Sequence, residues 1–503
     1  MRILIRGATV LPLGDPNQLL EGVDMMVEEG QIVGLSSHLP VPTLPDVTID
    51  GTDRLVIPGL VNAHVHSHNN YWRGWFDRAP LDHCVLHMWG VGVDPSALRL
   101  TPRQVYARAL LGCAEMLRTG TTTVVDDVNL NPMLTEEHVA AVVQAYEDSG
   151  MRAMVAAHVY DIPYHRTLPF LSELLPPELR GGLDAIPGPS VAEIAEVVQA
   201  CARRWSAPDR RVRFGIGPSG PQRCSDALLT TMAEIAARHD LPLYIHVLES
   251  RTQAVMGKVV YGQSLIERLA DLDILGPRVT LGHCVWVTPR DIALLSSSGT
   301  MACHNPVSNL RLGSGICPVR RLLEAGVPVA LGTDGVVGND SLNMFEVMKF
   351  AALLQRIATP HPEEWLGALE VLRMAVHGGA LSARLPTTGI AVGQRADLVV
   401  LDLRRATFGP RNNIPQQLVY AENGSSVDVV IVDGRIVVQS GRVMTVDEPS
   451  VTAEVARDAA TFHARRETGR PQAAELERCF REVYDRAWRT DVDVHAFGPW
   501  SPP

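Results

Sequence analysis

The 503-residue chain predicts an α/β protein: a (β/α)8 barrel of TIM type, a small β domain formed from both ends of the chain, and a helical C-terminal extension. Two observations carry that expectation. Through the middle of the chain, eight short apolar runs with polar C-terminal ends alternate with helix-like segments, the pattern of repeated βα units. Before and after that middle, short β-rich stretches punctuated by glycine turns share one texture, as two parts of a single small domain would. The length is two or three times that of a common domain, and a barrel with a side domain uses all of it.

Taken in order, residues 1–57 supply the short strands of "RILIRGATVLP", "DMMVEEGQIVGLS" and "VTIDGTDRLV". The barrel is expected over residues 58–389, its strands in "RLVIPGLVNAHVH", "TTTVVDD", "MRAMVAAHV", "VRFGIGPSG", "LPLYIHVLES", "VTLGHCVW", "TMACHNPVS" and "VPVALGTDG". Amphipathic segments such as "TPRQVYARALLGCAEMLRTG" and "CSDALLTTMAEIAARHD" supply its helices. The β texture returns over 390–447, in "RADLVVLDL" and "VDVVIVDGRIVVQSGRVMTV", and completes the small β domain. Residues 448–503 begin helically with "VTAEVARDAATFHARRE" and are expected to fray in "FGPWSPP".

Composition narrows the function. Hydrophobic residues are 46 % and charged residues 20 %, as in ordinary globular proteins. The net charge of −11, the isoelectric point near 5.9 and the lack of any Lys/Arg-rich run argue against a nucleic-acid partner. No window approaches the ~18 consecutive apolar residues of a membrane span. Eight cysteines without a CxxC pair, and an N-terminus without a signal-peptide pattern, lead to the expectation of a reduced, cytoplasmic protein.

The polar strand ends carry the chemistry. Strand side chains alternate faces, so His64 and His66 in "NAHVHSHNN" point the same way, a spacing that suits two ligands of one cation. Taken alone, such a pair fits incidental strand histidines equally well. His246 in "LYIHVLES", His283 in "TLGHCVW" and Asp334 in "ALGTDG" each end a different run, where a barrel would bring them together with the first pair. Each of them singly would also suit a buried, hydrogen-bonded polar group. Glu249 stands three residues after His246. His304 and Asn305 end the seventh run and are candidates for lining the pocket, with a role in loop structure as the alternative. His68 lies beyond the first strand end as a pocket or loop residue; Trp72, Arg73, Trp75 and Trp89 follow it and could wall a planar substrate or pack on a helix.

"PGLVNAHVH", "HVLE", "GHCVW", "HNPVSNLRLGSG" and "LGTDG" resemble, in order and spacing, the amidohydrolase superfamily, above all its methylthioadenosine/S-adenosylhomocysteine deaminase and triazine hydrolase branch. The resemblance runs from about residue 3 to 445 and includes "GIAVGQRADLVVLDL". It implies a β-sandwich for the small domain and makes His64, His66, His246 and Asp334 ligands of a single divalent metal, with zinc first and iron, manganese or cobalt as alternatives. Relatives with two metals place a lysine in the fourth strand, and "RFGIGPSG" has none. In the same resemblance Asp334 takes a proton from water, Glu249 protonates a ring nitrogen, and His283 orients the water and steadies the tetrahedral intermediate.

The implied reaction is hydrolytic deamination of a small planar nitrogen heterocycle. Hydrolysis of an amide, carbamate or substituted-triazine bond is the alternative, and a non-catalytic assembly protein a third reading. Assembly proteins on this barrel typically lose metal ligands, which this chain keeps. A homodimer or higher homo-oligomer is also implied. The chain departs from the nucleoside deaminases in two places. "GPSGPQRCS" puts Ser219 where they carry the histidine of "APH", and "GVGVDPSALRL" has no counterpart of the acid that holds ribose hydroxyls. These departures favour another ring, such as a pterin, purine base or triazine, over an adenosine derivative.

Overall fold

A computed structural model describes residues 1–14, 18–40, 44–91, 93–186, 188–385, 389–467 and 470–497; the segment 498–503, expected to fray, lies outside them. The first five strands, β1 (Arg2–Val10), β2 (Leu20–Glu28), β3 (Gln31–Ser36), β4 (Val47–Asp50) and β5 (Arg54–Pro58), belong to a mixed sheet at one side of the molecule. Alternation of buried and exposed residues in β3, and of half-buried and exposed residues in β4, marks a sheet with one covered face. Ile3, Ile5, Val27, Val56, Leu398 and Val400 fill its core.

β5 and the next strand come from one apolar run, "RLVIPGLVNAHVH", expected as a single barrel strand. Instead the chain leaves the outer sheet at Pro58 and enters the barrel at Leu60. Gly59 makes the crossing possible, because a Cβ there would lie 2.1 Å from Thr122 Oγ1. The barrel strands are then β6 (Leu60–Val65), β7 (Thr121–Val128), β8 (Arg152–Val159), β9 (Val212–Pro218), β10 (Leu243–Val247), β11 (Val279–His283), β12 (Met301–His304) and β13 (Val329–Leu331). They pair in chain order, all parallel. Every residue of β6 to β13 is buried, as expected for strands covered on both faces. The ends meet where Asp334 N–H donates to the His64 carbonyl at 3.0 Å and Thr333 N–H to Asn62 Oδ1 at 3.0 Å.

The two amphipathic segments singled out in the sequence form helices Pro102–Arg118 and Asp226–His239. Thr101 starts the first with a reciprocal cap to Gln104, and Ser225 caps the second through Leu228 N–H. After the barrel, β14 (Leu398–Asp402) pairs antiparallel with β5, and β15 (Val427–Val432), β16 (Arg435–Gln439) and β17 (Arg442–Val443) extend the outer sheet. Both ends of the chain thus build one sheet. Arg152 of β8, almost fully buried, bonds Asp397 and Asp433 and ties that sheet to the barrel.

Two further helices, Glu448–Glu467 and Arg470–Arg489, follow. The first is paired to helix Pro102–Arg118 through Arg103 with Glu454 and Arg118 with Glu448. The second buries Leu476, Cys479, Phe480 and Val483 against Leu86, Leu168, Leu171, Leu175 and Leu183, residues of the segments after β6 and β8. Among the described residues no helix is long and apolar enough to cross a membrane, and all eight cysteines are buried free thiols.

Candidate active site

The strand ends of β6, β10 and β13 converge. His64 Nε2 and His66 Nε2 lie 3.5 and 3.4 Å from Asp334 Oδ1, and His246 Nε2 lies 3.2 Å from His66 Nε2. Ligands about 2.1 Å from a tetrahedral ion are roughly 3.4 Å apart, so these edges suit one small cation. Both ring nitrogens of His64 are buried without a hydrogen-bond partner, an arrangement that is costly unless something else engages the nitrogen that carries the lone pair. Burial first, and then His66, push the His64 pKa down to about 3, which keeps the ring in its ligating neutral form. The residues present therefore fit a divalent metal.

Local sequence explains the convergence. Gly332 lets β13 approach β6, since a Cβ there would stand 2.7 Å from His64 Cβ and 2.6 Å from Asn305 Oδ1. Tyr244 of β10 stacks under His64, centroids 4.5 Å apart and planes at 7°. His283 and Asp334 hold left-handed backbone angles, φ 72° and 62°, of the kind that costs energy and gathers at functional sites. Asp334 is fixed by Ser308 Oγ, which donates to Oδ2 at 2.6 Å, and by Gly335 N–H, which donates to Oδ1 at 2.6 Å. Burial opposes its charge, yet His64, His66 and His283 hold its carboxyl well below the usual range.

Glu249 and His283 complete the cluster, with His283 Nε2 3.7 Å from Glu249 Oε2 and 4.0 Å from Asp334 Oδ2. The Nδ1 of His283 meets Asn309 Oδ1 at 2.9 Å, which leaves Nε2 facing the two acids. Burial, followed by the charges of Asp334 and Asp82, raises the Glu249 carboxyl well above its ordinary value. Two carboxyls with opposite shifts side by side make an acid and a base available together.

A chamber of about 80 Å3 over this cluster is walled by His68, Trp89, Ser219 and Gln222, among others, and a second of about 240 Å3 adjoins it. His68 and Trp89 line both. His304 and Asn305, expected at the pocket wall, line neither chamber. β12 ends early and turns into helix Pro306–Arg311, leaving Asn305 behind His283, with Nδ2 3.4 Å from its Nδ1. Trp72 walls the larger chamber, whereas Trp75 stacks on His463 at 4.0 Å and Arg73 pairs with Glu115. Asp94, the acid of "GVGVDPSALRL", accepts from Ser96 N–H at 2.8 Å, and the larger chamber is lined instead by its neighbours Val93 and Pro95.

Sequence reasoning passed over Asp127 and His158, bonded at 2.8 Å, with Asp127 Oδ2 3.6 Å from His246 Nδ1. Both end apolar runs, so the signal that singled out His246 was present in "VVDD" and "AAHV". Arg223 was missed because nothing in "GPQRCS" announces what surrounds it.

A family model described as "Amidohydrolase family" matches residues 55–437. The chain belongs to the amidohydrolase family. This amidohydrolase is 36 % identical over 451 residues to a 5'-deoxyadenosine deaminase of Methanothermobacter thermautotrophicus, covering 89 % of this chain and 96 % of the relative. It is also 36 % identical to a 5-methylthioadenosine/S-adenosylhomocysteine deaminase of Desulforudis audaxviator, covering 91 % and 98 %. Among solved structures, the atrazine chlorohydrolase of Arthrobacter aurescens TC1 complexed with zinc superposes with a TM-score of 0.81 at 26 % identity, covering 91 % of this chain and all of the other. The amidohydrolase is therefore an enzyme, a hydrolase acting on carbon–nitrogen bonds, and the motif-based assignment holds.

Proposed function

We propose that this amidohydrolase deaminates a planar nitrogen heterocycle by hydrolysis at a single divalent metal held by His64, His66, His246 and Asp334. Water adds its oxygen to the ring carbon, the exocyclic C–N bond breaks, and ammonia leaves. The observation that carries the reading is Glu249, a carboxyl buried beside the ligand cluster with its pKa raised, as a ring-protonating acid must be. Zinc is the ion favoured by three imidazoles and a carboxylate, and a zinc-containing structural relative supports it.

The bound ion would supply Lewis acidity and lower the pKa of coordinated water. Asp334, its other oxygen steadied by Ser308, accepts the proton the water gives up and passes it to the exocyclic nitrogen, which leaves as ammonia, while the remaining hydroxyl proton returns Glu249 to its acid form. The Nε2 of His283, held by Asn309 on the far side of the ring, accepts a hydrogen bond from the same water and aims it. Glu249 donates to the ring nitrogen next to the attacked carbon, which draws electrons from that carbon and makes it electrophilic. Trp89 stands in the wall of the same chamber, its ring faced by the Arg223 guanidinium 4.0 Å from the centroid.

Because two relatives matched over nearly their whole length are named as deaminases of adenosine derivatives, such derivatives belong on the test panel despite Ser219. The test is ammonia release by the zinc-loaded protein across aminopurines, aminopterins, aminotriazines and deoxyadenosine derivatives. One ammonia per product is expected, with Glu249→Gln retaining metal and losing about 10²- to 10⁴-fold in kcat. Turnover with no ammonia would establish instead the alternative of amide, carbamate or substituted-triazine hydrolysis, to which the chlorohydrolase similarity is the pointer.

A further inference from the structure

The larger chamber is lined by two buried arginines that make no ion pair among the described residues. The guanidinium of Arg223 is slotted between Trp89 and Tyr160, 4.0 and 3.9 Å from their centroids, and those rings lie within 12° of parallel. Arg223 is 3 % exposed, its Nε and Nη1 have no hydrogen-bond partner, and it lines both chambers. Among the described residues it makes no ion pair; the groups acting on its charge are Tyr160, Tyr164 and Cys224. Arg108, from helix Pro102–Arg118, lines the larger chamber and is 6 % exposed, with the ring of Tyr71 5.4 Å away. Burial pushes its pKa down to about 10, against the opposing charges of Tyr71 and Asp126, neither of which forms an ion pair with it. The acid in the same wall, Asp161, is engaged by Ser225 N–H at 2.8 Å and Ser225 Oγ at 2.5 Å.

Burying a guanidinium without a counter-charge is strongly unfavourable, and facing rings offset only part of that cost. In a chain of net charge −11, acids to pair with both arginines were plentiful, yet among the described residues neither has an ion-pair partner and both line the cavity that adjoins the His/Asp cluster. A planar fork of N–H donors at the junction of the two chambers suits an oxyanion that arrives with the substrate.

We propose that the larger chamber is an oxyanion subsite, and that the heterocycle hydrolysed at the metal carries a substituent ending in a carboxylate or phosphate, gripped by Arg223 with Arg108 as the second cation. The proposal rests on the heterocycle-hydrolase reading. Trp89 and Tyr160 hold the guanidinium in place rather than stack on the substrate. This assigns a specificity role to a residue six positions beyond Gly217, in the turn that also carries Ser219.

The test uses the zinc-loaded enzyme and triplets of aminoheterocycles that share ring and linker and end in a primary amide, a carboxylate or a phosphate. The parent enzyme is expected to favour one of the anionic members over the amide by about tenfold or more in kcat/KM. In Arg223→Gln that ratio falls to within about twofold of one, Arg223→Lys recovers part of it, and Arg108→Gln lowers it less. The carboxylate and phosphate arms decide which oxyanion is meant. Calorimetric binding of the corresponding deaminated products to the parent enzyme reads the same preference without turnover. Ammonia release with no preference for charge in either assay, or a ratio unchanged in both glutamine variants, overturns the subsite while leaving the hydrolase reading intact. Charge-selective binding without any ammonia keeps the subsite and removes the deaminase.

Discussion

At the scale of single residues, the assignment of Glu249 can be checked without substrate. Its carboxyl is raised by burial and by Asp334 and Asp82, so in the metal-free protein the folded chain retains a proton that the unfolded chain has released. The favourable contribution is complete below the ordinary glutamate pKa near 4.3 and is lost as pH rises toward the folded value. Glu249→Gln has no such proton to lose. The variant is expected to gain on the parent by up to about 1.4 kcal/mol per pH unit above pH 5, measured by denaturant unfolding of metal-free protein. A stability difference flat in pH would deny the raised pKa. Residues of this kind were legible because a polar side chain at the end of an apolar run has few structural excuses. Asp127 and His158 obey the same rule and were overlooked only because no motif drew attention to them. Arg223 could not be read at all: its cage is assembled from Trp89, Tyr160 and Tyr164, which the chain brings together only after folding.

At the scale of elements, the eight barrel runs each contain a strand, and period and length were enough to find them. Where one run held two strands, the break at Gly59 was hidden, since an isolated glycine in an apolar stretch looks the same whether it passes through a sheet or changes sheets. The helical extension was legible as helix, but its docking was not, because the apolar stripe of Arg470–Arg489 names no partner. The structure supplies one: Phe480 and its neighbours clamp the segments after β6 and β8 that wall both chambers. Phe480→Ala should cost that contact about 3–5 kcal/mol. Hydrogen exchange should then accelerate in the helices Leu81–Met88 and Pro177–Asp184 while the barrel strands stay protected. Unchanged exchange in those helices would mean the extension is not what orders them.

At the scale of the molecule, one consequence follows from drawing a metal site out of three strands far apart in sequence. His64 comes from the first barrel strand and His66 from the residue just beyond it, His246 from the fifth, and Asp334 from just beyond the eighth, where the sheet closes on itself. Binding of an ion would therefore add to the stability of the closed barrel as well as to chemistry. The central claim is that these four residues hold the catalytic ion. It is tested most directly by elemental analysis of chelator-stripped protein titrated with zinc while ammonia release is followed, in the parent and in His64→Ala, His66→Ala, His246→Ala and His68→Ala. Activity is expected to rise linearly to one zinc per chain in the parent, with His68→Ala still binding one and the other three variants retaining little or none. Full activity in stripped protein, or one tightly bound zinc in the His64, His66 and His246 variants, would contradict it.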